Sequence, residues 1–234
     1  MITAQDTDIL KQILPKIDYT AALTPDAGKE AVRKACETAK QYKFATVCVY
    51  PTWTKYASTL MQGTGIGILI AVGFPHGSTN TEGKVSEARQ ICIDGATEID
   101  MVINIARLIE GDYEYVESDI RAVVETARQY GVGVKTILET GYLSDALKRK
   151  AIEIAISAGA EYIKTCTGFG PGKASIHDIM LISEVAKGRI KVKASGGVAS
   201  LEDQWEFIKL GASRVAGRGN IVEQLQEIGV FGAL

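Results

Sequence analysis

The chain has 234 residues, 46% hydrophobic and 23% charged, with 26 basic and 28 acidic side chains giving a formal net charge of -2. These proportions describe an ordinary globular chain with room for one large core or two small ones, and the near balance of charge excludes a general basic footprint for nucleic acid. Cys36, Cys48, Cys92 and Cys166 show no CxxC spacing, and His76 and His177 form neither HxH nor HxxxH, so reduced thiols and no metal site are expected.

Residues 5–14 carry Ile9, Leu10, Ile13 and Leu14 at helical spacing, which predicts a short extra N-terminal helix closed by Pro15. The stretch before Pro15 is polar, with no basic start leading into an apolar run; no signal peptide is read there, and a cytoplasmic location is expected. KIDYT at 16–20 is a minimal strand, and Thr24-Pro25-Asp26 then opens a helix to about Gln41 with a hydroxyl cap and proline at its first position. Strand-like runs follow at 44–50, 66–73, 97–104, 132–139, 161–166, 190–195 and 213–217. GIGILIAVGF is the most apolar of these stretches and is too short to span a bilayer. Helical segments fall near 53–61, 82–94, 112–130, 143–158, 176–187 and 200–210. Ser175 with Asp178 and Ser200 with Asp203 read as capping boxes, and Gly95, Gly159 and Gly211 sit where a C-terminal cap glycine belongs.

Eight strands over 234 residues is about 29 residues per unit, the size of one repeat in an eight-stranded (β/α)8 TIM barrel. The strands are short and mostly apolar, as parallel strands covered on both sides should be, and no linker divides the chain. The expectation is a single α/β barrel domain over 1–234, with an open doubly wound sheet as the alternative.

Active-site groups of such a barrel come from the C-terminal ends of strands, where alternate residues point inward. Lys164 lies in an apolar strand, EYIKTC, and Lys193 takes a matching place in IKVKAS. A buried lysine sheds water, which disfavours its ammonium form, and a second amine nearby lowers its pKa further, an established route to a Schiff-base lysine. The plain alternative for either is a strand-edge lysine whose stem reaches water. Asp100 lies mid-strand with Val102 and Asn104 at the same parity, Glu139 ends its strand, and Asp18 lies in the first. Each has a structural alternative: a loop cap for Asp100 and Asn104, a charge partner of Lys135 or Lys193 for Glu139. Ser195-Gly196-Gly197 after the seventh strand and Gly217-Arg218-Gly219 after the eighth fall where these barrels bind phosphate through backbone N–H groups. The Thr167-Gly168 turn and Cys48 complete the candidate binding set, although cysteines such as Cys48 and Cys166 more often simply pack.

IDYT, VCVYP, VGFPHGSTNTEGKVSEA, GATEIDMVIN, ILETGYL, YIKTCTGFG, VKASGGV and GASRVAG occur in the order found in the 2-deoxyribose-5-phosphate aldolase family, which the chain resembles over nearly its whole length. That resemblance implies a carbon–carbon lyase with Lys164 as the Schiff-base lysine, Lys193 as the amine that depresses its pKa, Asp100 as a proton shuttle and Asp18 as an aid to positioning. It further implies no organic cofactor, a phosphorylated sugar and acetaldehyde as small-molecule partners, no nucleic-acid or membrane partner, and a homodimer or higher homo-oligomer.

The chain departs from the family pattern at Asp18–Pro25, which is one residue longer and lacks a lysine, at Arg218-Gly219, where Thr-Ser is usual, and at Lys173, where glycine is common. These changes keep two further readings open: a related lysine-dependent aldolase for another phosphorylated or carboxylated sugar fragment, and a non-catalytic barrel that binds a sugar phosphate.

Overall fold

Short β-branched runs with apolar residues on both sides need cover on both faces, and here each is followed by an amphipathic helix that supplies it. In the computed structural model, which describes residues 2–234, the strands are β1 (Ile17–Ala22), β2 (Thr46–Val49), β3 (Gly67–Val72), β4 (Glu98–Val102), β5 (Gly133–Ile137), β6 (Tyr162–Lys164), β7 (Lys191–Ala194) and β8 (Arg214–Gly217). They pair in parallel in chain order, and β8 returns to β1, closing the barrel. The helices are α1 (Thr7–Ile13), α2 (Lys29–Tyr42), α3 (Thr54–Met61), α4 (Thr81–Ile93), α5 (Ile105–Ile109), α6 (Tyr113–Arg128), α7 (Asp145–Ser157), α8 (Ile176–Ala186), α9 (Leu201–Lys209) and α10 (Gly219–Glu227). No helix among the described residues is long and apolar enough to cross a membrane.

The expected barrel is the observed one, and the glycine and serine signals fall where they were read. Gly95, Gly159 and Gly211 adopt positive φ after their helices, and the Ser175 and Ser200 side chains accept the N–H groups of Asp178 and Asp203. Four details differ. The helix expected from Pro25 starts at Lys29, because Thr24 and Ala27 close a backbone turn first. The strand expected over 161–166 stops at Lys164; Thr165 keeps backbone bonds to Lys193 and Thr140, and its hydroxyl adds bonds to the Ser195 backbone on the β7 side. Pro15 lies inside a 3-10 turn, Leu14–Lys16, that follows the end of α1. Helices α5 and α10 were not predicted: the first is five residues long, and the second starts on glycine, a poor helix former, with no side-chain cap.

The apolar core lies between sheet and helices, with Ile70, Ile99, Val134, Ile163 and Val215 of the strands facing outward into it. One ion pair is sealed within that layer. Lys84 of α4 and Asp119 of α6 are fully buried, 2.6 Å apart, with Lys84 Nζ also donating to Val102 O and Thr81 Oγ1 donating to Asp119. Lys84→Met strands the Asp119 carboxylate in the core, so urea titration should show a loss of about 3–5 kcal/mol. The double variant Lys84→Met with Asp119→Leu should recover most of it, because two apolar side chains leave no charge unpaired.

Candidate active site

The parallel register sets Lys164 of β6 directly beside Lys193 of β7. Both point into the barrel, where Lys164 Nζ and Lys193 Nζ each donate to Asp100 Oδ2 at 2.7 Å. Lys193 Nζ also lies 2.6 Å from Asp18 Oδ2. The other oxygen of Asp18 accepts from Arg214 Nη1 at 2.5 Å and Thr46 Oγ1 at 2.8 Å. Thus the four residues read as catalytic from sequence, on four different strands, meet in one cluster.

Electrostatics divides the two lysines. Burial pushes Lys164 below an ordinary lysine; the Asp100 carboxylate opposes that fall and the Lys193 ammonium adds to it. Burial would also lower Lys193, yet Asp100 and Asp18 outweigh it and hold this lysine above the usual range. Lys193 is therefore a fixed cation, and Lys164 is the amine nearest to losing its proton. Burial alone would raise both aspartates. Instead Lys164, Lys193 and Lys135 hold Asp100 well below the carboxylate range, and Lys193, Lys135 and Arg214 bring Asp18 down to about 2.

Lys164 opens onto a cavity of about 430 Å³ at the C-terminal ends of the strands. Thr167, Gly168, Ser195, Gly196, Gly197, Gly217 and Arg218 line it, as do Thr20, Lys173 and Asn220, while no acidic side chain does. Asp18, Asp100 and Lys193 lie beneath the cavity floor. Gly219 is the first residue of α10, whose N-terminus has no side-chain cap and faces the cavity through Arg218 and Asn220. Uncapped N–H groups, two cations and the absence of carboxylates suit an anion. Gly196 must be glycine, since its φ is +90° and a Cβ there would come 2.6 Å from Cys166 Cβ. At Gly168 a Cβ would lie 3.3 Å from Arg218 Nη2, so the guanidinium lies over that turn.

Cys48 is buried in a small apolar cluster with Leu23 and Leu69, next to the charges but away from the cavity wall. Burial, then Asp100, push its thiol up to about 12, which leaves it an unreactive packing group. Asn104 caps α5 through Arg107 N. Glu139 pairs with neither lysine; its carboxylate accepts from Thr167 N and Oγ1 and ties the β6 turn to β5. Lys135 instead bonds Glu98 and approaches Asp100. Sequence reasoning missed Glu98 and Arg214. Their signal was parity, since each lies two residues before an inward position on its own strand. The last residues lie far from the cavity: Ala233 N donates to Gln41 O at the end of α2, on the opposite rim. No group of three or more His, Cys, Asp or Glu side chains able to hold a metal occurs among the described residues.

Residues 12–223 match the DeoC/LacD family of aldolases. The chain is 44% identical over 224 residues to a deoxyribose-phosphate aldolase of Caldanaerobacter subterraneus subsp. tengcongensis, covering 94% of this chain and 96% of that one. It is 43% identical to that of Bacillus cytotoxicus, covering 90% of this chain and 94% of that one. Among solved structures, a tetrameric deoxyribose phosphate aldolase from Aeropyrum pernix superposes with a TM-score of 0.84 at 29% identity, over 97% of this chain and 98% of its own.

Proposed function

This chain belongs to the DeoC/LacD aldolase family, and from that membership we propose that it reversibly cleaves 2-deoxy-D-ribose 5-phosphate to acetaldehyde and D-glyceraldehyde 3-phosphate through an imine on Lys164. The observation that carries this reading is the Lys164 amine, buried and depressed, 2.7 Å from an ionised carboxylate at the floor of an anion-suited cavity.

The neutral amine of Lys164 attacks C1 of the open-chain sugar, and loss of water from the carbinolamine gives the protonated imine. A base then takes the proton of the C3 hydroxyl, the C2–C3 bond breaks, and its electron pair moves to C2 as the enamine, with the iminium nitrogen as electron sink. D-Glyceraldehyde 3-phosphate leaves, C2 is protonated, and hydrolysis of the imine releases acetaldehyde and restores Lys164. No electrons are gained or lost, so this sequence calls for no redox cofactor. Asp100, which contacts both amines, is the group we assign to proton relay. Its low pKa suits passing a proton on to water rather than keeping it. Lys193 holds Asp100 and Asp18 in place and keeps Lys164 short of protons.

Borohydride reduction with acetaldehyde, followed by peptide mapping, tests the reading. A reduced two-carbon adduct on Lys164 is expected; its absence from folded protein would refute the imine.

The phosphate end is assigned to Gly168, Ser195, Gly196, Gly197, Gly217, Arg218 and Gly219, with Thr167 beside Lys164. Arg218→Gln should raise KM for deoxyribose 5-phosphate by roughly 10- to 100-fold with little change in kcat, because a charge-assisted contact made equally in ground and transition states is lost. Unphosphorylated deoxyribose should be cleaved equally well by both proteins. Lys173 and Arg218 together also favour a second reading, an aldolase for a different phosphorylated or carboxylated fragment, and a panel of acceptor aldehydes separates the two. A reducing cytosol fits four buried free cysteines, and the tetramer of the Aeropyrum pernix relative supports a homo-oligomer.

A further inference from the structure

The charge network does not stop at Asp100 and Asp18. Below them, toward the N-terminal ends of the strands, Lys135 Nζ lies 3.5 Å from Asp100 Oδ1 and hydrogen-bonds Glu98 Oε2. Arg214 spans from Asp18 Oδ1 to Glu98 Oε1, at 2.5 and 2.7 Å. Glu98 is the first residue of β4 and Arg214 the first of β8. Their side chains are 22% and 17% exposed at the far mouth of the barrel, whereas that of Asp100 is 1% exposed and that of Asp18 is fully buried. The result is a column of charge running through the barrel from one mouth to the other.

Charge counting gives this column its meaning. Asp18, Asp100 and Glu98 are three carboxylates; Lys135, Lys193 and Arg214 are three cations bonded to them. The set is neutral only while Lys164 is a neutral amine, and protonating Lys164 leaves an excess positive charge in a closed space. Glu98 is the third carboxylate of that balance, although it lies at the opposite end of the barrel from the cavity.

We propose that Glu98 is a positioning residue for the imine chemistry: through Lys135 and Arg214 it orients the Asp100 and Asp18 carboxylates and sets the pH at which Lys164 becomes nucleophilic. The proposal rests on the assignment of Lys164 as the imine-forming amine. The groups bearing on Lys164 come from every side of the barrel: Asp18 (β1), Cys48 (β2), Asp100 and Glu98 (β4), Lys135 (β5), Lys193 (β7) and Arg214 (β8), with Lys173 and Arg218 across the cavity. Strand β3 presents Leu69, which carries no charge. Removing the Glu98 charge leaves the column with a net positive charge, so the proton on Lys164 is held less firmly. Removing the Arg214 charge does the reverse.

The test is the pH dependence of borohydride trapping of the acetaldehyde adduct on Lys164. In Glu98→Gln the midpoint should move down by about half a unit to one unit, the scale for one partly screened charge at this remove. In Arg214→Gln it should move up by a similar amount, and Glu98→Asp, which keeps the charge, should stay near the wild-type midpoint. Opposite shifts from two substitutions in one ion pair are not what loosened packing produces. If Arg214→Gln does not fold, Lys135→Met removes a cation from the same column and carries the same upward expectation. Unmoved midpoints, or shifts of one sign in both variants, overturn the proposal. Absence of any adduct in the wild type would instead defeat the assignment of Lys164 itself.

Discussion

Lys164→Met is expected to lower kcat/KM for deoxyribose 5-phosphate by at least about 10⁴-fold, since no other step can form the covalent intermediate once its nucleophile is gone. The same variant should fold as well as the wild type or better. Lys164 is buried and held below its ordinary pKa, so folding gains little from its charge. After its removal Asp100 keeps Lys193 at 2.7 Å and Lys135 at 3.5 Å. A coupled assay and a thermal melt on one preparation decide the matter. Activity within tenfold of wild type from a cooperatively folded variant would rule out Lys164 as the imine site. Loss of activity together with loss of the melt would point to a structural lysine.

Lys193→Met is expected to be damaging in both respects. It strips a 2.6 Å partner from Asp18 and a 2.7 Å partner from Asp100, both buried. Breaking buried pairs one-sidedly costs about 3–5 kcal/mol. It also removes the cation that helps depress Lys164, leaving Asp100 to hold that amine as ammonium. At pH 7 kcat/KM should fall by about 10²–10³-fold, because each unit of rise in a lysine pKa removes nine-tenths of the neutral amine. Since the folded pKa of Lys164 rises, neutral amine returns only as pH rises, so a rate profile from pH 7 to 10 should climb further in the variant than in the wild type. Acid stability should change with the opposite dependence. Against burial, Lys193, Lys135 and Arg214 hold Asp18 at about 2; its contribution is full above the unfolded value of about 3.9 and lost as pH falls toward 2. Without Lys193 that contribution shrinks, and acid unfolding should begin at higher pH.

The candidate catalytic cluster was legible because a parallel barrel has simple rules: Lys164 and Lys193 lie near strand ends and Asp100 mid-strand, all at inward parity, and barrel closure brings them together. Lys135, Glu98 and Arg214 were harder to read. Such residues near the start of a strand look like solvated charges, and only the closed register shows that β4, β5 and β8 aim them at one another. The cavity was half legible. Glycine pairs after β7 and β8 marked the anion end, but the helix starting at Gly219 was hidden by its poor propensity. Lys173 was read as extra positive charge near the phosphate end, and the fold sets it there, over Gly197. Cys48 shows the limit of parity: it points inward, yet Leu23 and Leu69 enclose it.

The lumen has a further consequence for laboratory evolution. Most barrels of this size fill the interior with branched aliphatic layers; here that space holds ionised groups whose desolvation works against folding. Matched apolar replacements of whole ion pairs there should therefore be among the most stabilising changes open to the chain, and among the most inactivating. Libraries screened for heat resistance alone should accumulate them and drift toward a sturdy, inert barrel. Screens that select turnover at high temperature should leave the lumen untouched and take their gains from the helical shell.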